Sequence, residues 1–272
     1  MPLQFIRVES ESHCRLETAP VIREAPVSLT VNGDIWLTFM CTPIDLPALA
    51  VGFLFNEGKI ETVEEIANLR VCPTQDNVDI WTHTSLTRPN HWRRTSGCTG
   101  GSTSLDQDQA TSNRKPAEYT NGNRLPARQI YQLADLLMKG QELYKQTGGV
   151  HTSALTDGTD NTIYAEDIGR HNTLDKLAGR FLLESLDFSR RFLLTTGRIS
   201  SEMLQKSARI GAEIVLSRTS PSTLSIEMAD RLGITLIGYA RRNSFNIYTH
   251  SERINLEDIR KTEQLETLHR YG

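Results

Sequence analysis

Phe192–Ala240 reads FLLTTGRISSEMLQKSARIGAEIVLSRTSPSTLSIEMADRLGITLIGYA, and its reading decides the fold. An apolar run at Phe192–Thr196 gives way to small residues and then to a segment of helical period, Ser201–Ile210. A second apolar run, Glu213–Arg218, precedes a second helical segment, Pro221–Leu232, and a third run follows at Ile234–Ala240. Short apolar strands that alternate with helices of about ten residues or more predict a mostly parallel sheet covered on both faces. Upstream the same alternation continues. Pro126 opens a helix whose stripe is Ile130, Leu133, Leu137, Leu143 and Tyr144, and Gly148-Gly149 closes it. Strands at Val150–Thr156 and Thr162–Ile168 flank the turn Asp157-Gly158, and a helix runs from His171 to Leu186. Downstream, Leu256–His269 reads as a polar, peripheral helix.

Further toward the N-terminus the period changes. Val27, Leu29 and Val31 alternate with polar residues, Asn32-Gly33-Asp34 turns the chain, and Ile35, Leu37 and Phe39 alternate again, which is a hairpin pattern. Leu46–Glu57 predicts an apolar helix and Thr62–Ala67 a second, short one. Val71 and Val78–Trp81 predict strands. Leu105–Leu125 is polar and interrupted by Pro116, and reads as a linker or long loop. The expected division is an α+β domain over 1–104, this connection over 105–125, and an α/β domain over 126–272.

Composition narrows the function classes. The formal net charge of −3 gives no reason to expect a nucleic acid or an anionic membrane as partner. The first residues carry acidic groups and no apolar core of a secretory leader, and the longest apolar stretch, Leu46–Phe55, is too short to span a bilayer. Cys14, Cys41, Cys72 and Cys98 are too widely spaced for a zinc or disulfide framework, so free thiols in a reducing cytoplasm are expected.

One cysteine stands apart. Arg94–Ser102 reads RTSGCTGGS, and Cys98 sits among small residues that offer it no apolar surface to hide in. Arg93 and Arg94 favour its thiolate. An accessible thiolate suits a nucleophile or sulfur carrier; the alternative is a small filler in a glycine-rich turn. Four further segments fall at the carboxyl ends of expected strands, where α/β sheets bind ligands. They are Thr147–Ala154, Glu166–Lys176, Thr195–Glu202 and Tyr239–His250. Each joins small residues to His, Arg, Asn or Thr, a set suited to phosphates and heterocycles. In EDIGRHNTLDK, Arg170 and the new helix start are placed to hold an anion, and His171 and Asp175 lie one turn apart. Asn172 and Lys176 form a parallel pair. For any single such segment, helix capping and surface ion pairs explain the residues equally well. Four at equivalent places favour a shared ligand site, which His151, Asp167, Arg170 and His171 would line.

SGCTGG, TGGVHTSAL, AEDIGRHNTLDKLAG, TTGRISSEMLQKSARIG, SPSTLSIEMADRLGITLIGYAR and FNIYTH, in that order, resemble the formate dehydrogenase accessory sulfurtransferase family, FdhD, from about Ala25 to His250. The resemblance implies a cytidine-deaminase-like three-layer α/β/α C-terminal domain beside a smaller α+β domain. It implies a dimeric sulfur carrier that takes sulfur from a cysteine desulfurase as a persulfide on Cys98. The sulfur then passes to the molybdenum (or tungsten) cofactor in its molybdopterin guanine dinucleotide form, for formate dehydrogenase. Phe245, Asn246, Ile247, Tyr248, Thr249 and His250 fall on the family's cofactor-binding segment. One position departs: many members carry a second cysteine three residues after the first, and here it is Gly101. A single persulfide still suffices, because sulfur exchange occurs at one site.

Three alternatives are weighed against this. Zinc-dependent nucleobase deamination needs H-x-E and a later P-C-x-x-C; this chain has His151-Thr152-Ser153 and no cysteine after Cys98, so no zinc is expected. A papain-like hydrolase needs a histidine held rigidly against Cys98, which the surrounding glycines oppose. A non-catalytic cofactor chaperone, with Cys98 structural, is the second reading.

Overall fold

Alternation of buried and exposed positions builds the N-terminal sheet, and apolar runs build the later strands. The computed structural model describes residues 2–89, 93–94, 102–103, 124–257 and 259. In chain order its elements are β1 (Pro2–Ser10), β2 (His13–Pro20), β3 (Ala25–Val31), β4 (Asp34–Cys41), α1 (Leu46–Asn56), β5 (Ile66–Val71) and β6 (Asn77–Thr82). Then come β7 (Arg93–Arg94), β8 (Ser102–Thr103), β9 (Leu125–Pro126), α2 (Ala127–Lys139), α3 (Glu142–Thr147), β10 (His151–Thr156), β11 (Thr162–Asp167) and α4 (Arg170–Leu183). The last are β12 (Phe192–Thr195), α5 (Ser201–Ile210), β13 (Ile214–Ser217), α6 (Thr223–Arg231), β14 (Thr235–Arg241), β15 (Ser244–Ile247) and β16 (Ile254–Asn255). The fold is mixed α/β. The expected connection over 105–125 and most of the expected C-terminal helix lie outside the described residues.

The chain forms two compact units that interleave in sequence. The first draws on Met1–Leu105, Gly140–Ser153 and Ile163–Asp187. Its four-stranded sheet has the order β4-β3-β6-β5. β3 and β4 are the expected hairpin, with Val27 facing Phe39 and Leu29 facing Leu37. Asn32 and Gly33 take positive φ at its turn. α1 is buried almost all round, and it lies against β5, β6 and α4. Thr62–Ala67 is not a helix. Thr62 and Glu65 close a capping box over a single 3-10 turn, and β5 starts directly at Ile66. β1 and β2 make a separate, largely exposed hairpin.

The second unit draws on Asp106–Lys139, Ala154–Thr162 and Phe188–Gly272. Here β12, β13 and β14 pair in parallel, and β15 returns antiparallel to β14. α2 lies against β12 and β14. α5 starts on Ser200 and α6 on Ser222, each serine accepting a backbone N–H of its own first turn. The single helix expected from Pro126 to Gly148 is two, broken at Gly140: a Cβ there would overlap the Tyr164 ring. Only glycine fits beside that ring, and glycine is a poor helix interior residue.

Candidate functional site

Cys98 lies outside the described residues, but its frame does not. β7 and β8 pair antiparallel, Arg93 opposite Thr103 and Arg94 opposite Ser102. The chain therefore leaves and re-enters this ladder on either side of residues 95–101. The described cysteines contrast with one another. Cys41 is fully buried, and burial beside the Asp167 carboxylate pushes its thiol up to about 12. Cys72 donates to the Asp76 carboxylate at 2.6 Å, and that bond together with one from Thr74 holds the Asp76 carboxyl below its ordinary value. Cys14 is exposed on the β1–β2 hairpin.

In the first unit the turn from β11 to α4 is locked from inside. Asp167 and Lys176 are both fully buried, and Lys176 Nζ meets Asp167 Oδ2 at 2.7 Å. Lys176 also donates to the carbonyls of Thr42 and Glu166, at 3.0 and 3.1 Å. The other Asp167 oxygen accepts from Gly169 N at 2.7 Å and from Asn172 Nδ2 at 2.9 Å. Thr42 N donates to Asp167 Oδ2, Thr42 Oγ1 accepts from Ile168 N, and Asn172 reaches the Met40 carbonyl. The end of β4 is thus stitched to the start of α4, with the polar groups of the ion pair supplied with partners, as a buried pair requires. Asn172 and Lys176, expected as a parallel pair, both donate to Asp167, each to a different carboxylate oxygen.

The other expected residues lie on α4, β10 and β11. Arg170 and His171 form the first turn of α4 and are 6% and 3% exposed. Asp175, expected beside His171, accepts from Asn56 Nδ2 at 2.8 Å and so ties α4 to α1. His151 is half-buried at the start of β10. Glu166 accepts the N–H groups of Leu143 and Tyr144 at 2.6 and 3.0 Å and the Thr152 hydroxyl at 3.0 Å, so it serves the start of α3. Thr42 and the Met40 carbonyl were not foreseeable, because local sequence does not show which distant strand end meets a turn.

In the second unit the expected cofactor segment follows β14. Phe245 meets Tyr131 of α2 edge to face at 5.2 Å. Asn246 is exposed, with Nδ2 3.5 Å from the Tyr248 hydroxyl, which places these two on the face opposite Phe245. Thr249 is buried; its hydroxyl accepts from Leu236 N and donates to the Ile234 carbonyl. His250, at φ 51°, places its ring nitrogens 3.1 Å from the Asp230 carbonyl and 3.3 Å from Glu252. Beside this segment the ends of β12 and β13 are cross-linked. Ser217 Oγ donates to the Gly197 carbonyl at 2.7 Å, and Gly197 N donates to Thr195 Oγ1. Among the described residues, no group of three or more His, Cys, Asp or Glu is placed to hold a metal ion, and no helix is long and apolar enough to cross a membrane.

Known proteins resemble this chain in sequence and in fold. The sulfur carrier protein FdhD of Staphylococcus haemolyticus is 37% identical over 246 residues, covering 87% of this chain and 90% of that protein. The protein of the same name from Shouchella clausii is 34% identical over 258 residues, covering 93% and 96%. A crystal structure from Desulfotalea psychrophila, provisionally described as a formate dehydrogenase accessory protein, superposes with a TM-score of 0.71 at 29% identity. It covers 94% of this chain and 99% of that one. The sequence pattern of the FdhD/NarQ family matches residues 22–255, and this chain belongs to that family.

Proposed function

We propose that this protein is a sulfur carrier for formate dehydrogenase. Cys98 takes sulfur from a cysteine desulfurase and delivers it to the molybdopterin guanine dinucleotide form of the molybdenum (or tungsten) cofactor. The observation that carries this reading is the β7–β8 ladder, which brackets a glycine-rich segment holding one thiol between Arg93-Arg94 and Ser102-Thr103. The Cys98 thiolate attacks the terminal sulfur of the donor persulfide. That sulfur–sulfur bond breaks, the donor cysteine leaves as thiolate, and Cys98 keeps the sulfur. Gly101 removes the internal disulfide route and leaves this one intact. The second unit binds the nucleotide end of the cofactor through Phe245–His250. His151, Arg170 and His171 steady the sulfur to be transferred, and Asp167 positions them through its hold on the α4 start. The protein works as a cytoplasmic homodimer.

The test is intact mass spectrometry after incubation with a cysteine desulfurase and cysteine. A one-sulfur adduct is expected on the native chain and absent from Cys98→Ala. An adduct that persists in Cys98→Ala overturns the assignment. No adduct on a protein that still binds guanine nucleotide favours the cofactor chaperone, the reading that Gly101 keeps open.

A further inference from the structure

The carboxyl ends of β12, β13 and β14 hold two exposed side chains that the fold does not use. Tyr239 is the first. Between the pairs Gly238–Asn246 and Arg241–Ser244 the register slips, so Tyr239 and Ala240 together oppose Phe245. This is a β-bulge, a device that re-aims a side chain. Tyr239 adopts φ 51°. The left-handed position of such a bulge normally belongs to glycine, and a bulky residue there is strained. The other described non-glycine residues with positive φ are Asn32, Asp45, Gln75, Ser185 and His250, all polar. The neighbouring glycine does not relieve the position. A Cβ on Gly238 would stand 2.9 Å from the Tyr248 ring and 3.0 Å from Pro221 and the Thr219 carbonyl, so Gly238 is fixed by close packing. Tyr239 N is anchored to the Thr219 carbonyl at 3.0 Å. The strain turns the ring outward rather than into the core: Tyr239 is 42% exposed.

Arg198 is the second. It follows Gly197 at the end of β12 and is exposed, and no hydrogen bond or ion pair holds its guanidinium among the described residues. Its backbone is pinned on both sides, by the Ser217 bond to the Gly197 carbonyl and by Ile199 N on the Ser220 carbonyl. β12 and β14 are both neighbours of β13, so the strands that lead to the two positions are two strand spacings apart, about 10 Å. That is the span from the phosphates to the base of a nucleotide.

We propose that Tyr239 is the stacking platform for the base, and Arg198 the phosphate anchor, of the nucleotide site in the second unit. The proposal rests on the guanine-dinucleotide reading above and adds to it the residues that grip each end. A flat aromatic ring held by a rigid backbone suits a purine face, and a guanidinium on a fixed turn suits a diphosphate. Backbone strain kept at such a place is a feature of binding sites.

Calorimetry on the full chain with GDP and with guanosine tests this. Tyr239→Gly is expected to weaken GDP roughly ten-fold or more, the loss of one base–aromatic stack, while its melting temperature rises by about 2–4 °C as the strain is released. Tyr239→Phe keeps the ring and is expected to bind within about two-fold of the native chain. Arg198→Gln should weaken GDP and leave guanosine unchanged. Native-like GDP affinity in Tyr239→Gly, or equal loss in Tyr239→Phe, overturns the platform. Equal weakening of GDP and guanosine in Arg198→Gln overturns the anchor. A native chain that takes up no GDP overturns the guanine-dinucleotide reading itself, and this proposal with it.

Discussion

At the scale of the residue, the buried Asp167–Lys176 pair and the Cys41 thiol next to it make separate predictions. Removing one partner of a buried pair strands the other charge, at a cost of about 3–5 kcal/mol. Lys176→Met should lower stability by that order, since Asp167 is left with neutral donors only. Denaturant unfolding reads the change. Cys41 responds to pH in a fixed direction. Its thiol ionises in the unfolded chain near the ordinary thiol value of 9.0 and in the folded chain only near about 12. Between those values the unfolded chain has lost the proton that the folded chain keeps, so stability falls as pH rises through that window; below 9.0 the contribution is complete. Unfolding curves across this range should show a slope that flattens in Cys41→Ala. For the same reason Cys41 should resist alkylation in the native protein, while Cys14 on its exposed strand reacts.

At the scale of the element, the meeting of α1 and α4 is the tightest contact that names its own residues. A Cβ on Gly52 would overlap the Asp175 carbonyl, and a Cβ on Gly179 would overlap the Ala48 carbonyl. The two backbones touch because neither helix has a side chain at the crossing. Gly52→Ala is therefore expected to cost at least the ~1–3 kcal/mol of an overpacked core, although alanine is the better helix former. A higher melting temperature in Gly52→Ala would refute the close crossing. This contact also marks where the sequence stops being legible. Strand and helix order from Phe192 to Ala240 followed from period and punctuation, as did the β3–β4 hairpin with its Asn-Gly turn. The split of α2 from α3 did not, because Gly140 is required by the Tyr164 ring, a neighbour that no local pattern reveals. Nor did the short Thr62–Ala67 segment, where a capping box closed one turn and β-branched Ile66 began a strand. For the site, EDIGRHNTLDK stood out as chemistry, with Asp167 expected to line a ligand site and Lys176 expected beside Asn172, yet the buried ion pair between the two was not visible. Burial of an ion pair depends on what arrives from far along the chain, here the Thr42 end of β4.

At the scale of the whole molecule, the N-terminal hairpin is only lightly tied to the rest. Among the described residues β1 pairs only with β2, and a lone two-stranded hairpin is marginally stable in water. One of its faces carries Arg7, Arg15, Glu9 and Glu17, linked at 2.8 to 3.7 Å but open to solvent except at the half-buried Glu17, and such pairs contribute little. The other face carries Ile6, Val8 and Leu16, each more than 60% exposed. These side chains bury nothing that would hold the folded state together. The family match begins at residue 22, beyond this hairpin. Deleting residues 1–20 is therefore expected to leave the melting temperature within about 2 °C, and sulfur loading of Cys98 unchanged. It should also reduce self-association at high concentration, because an exposed apolar strand edge is a pairing template. Scanning calorimetry and light scattering on the truncated chain read both effects. A large fall in melting temperature would mean that the hairpin, through the contacts of β2 with α3, is part of the folded core after all.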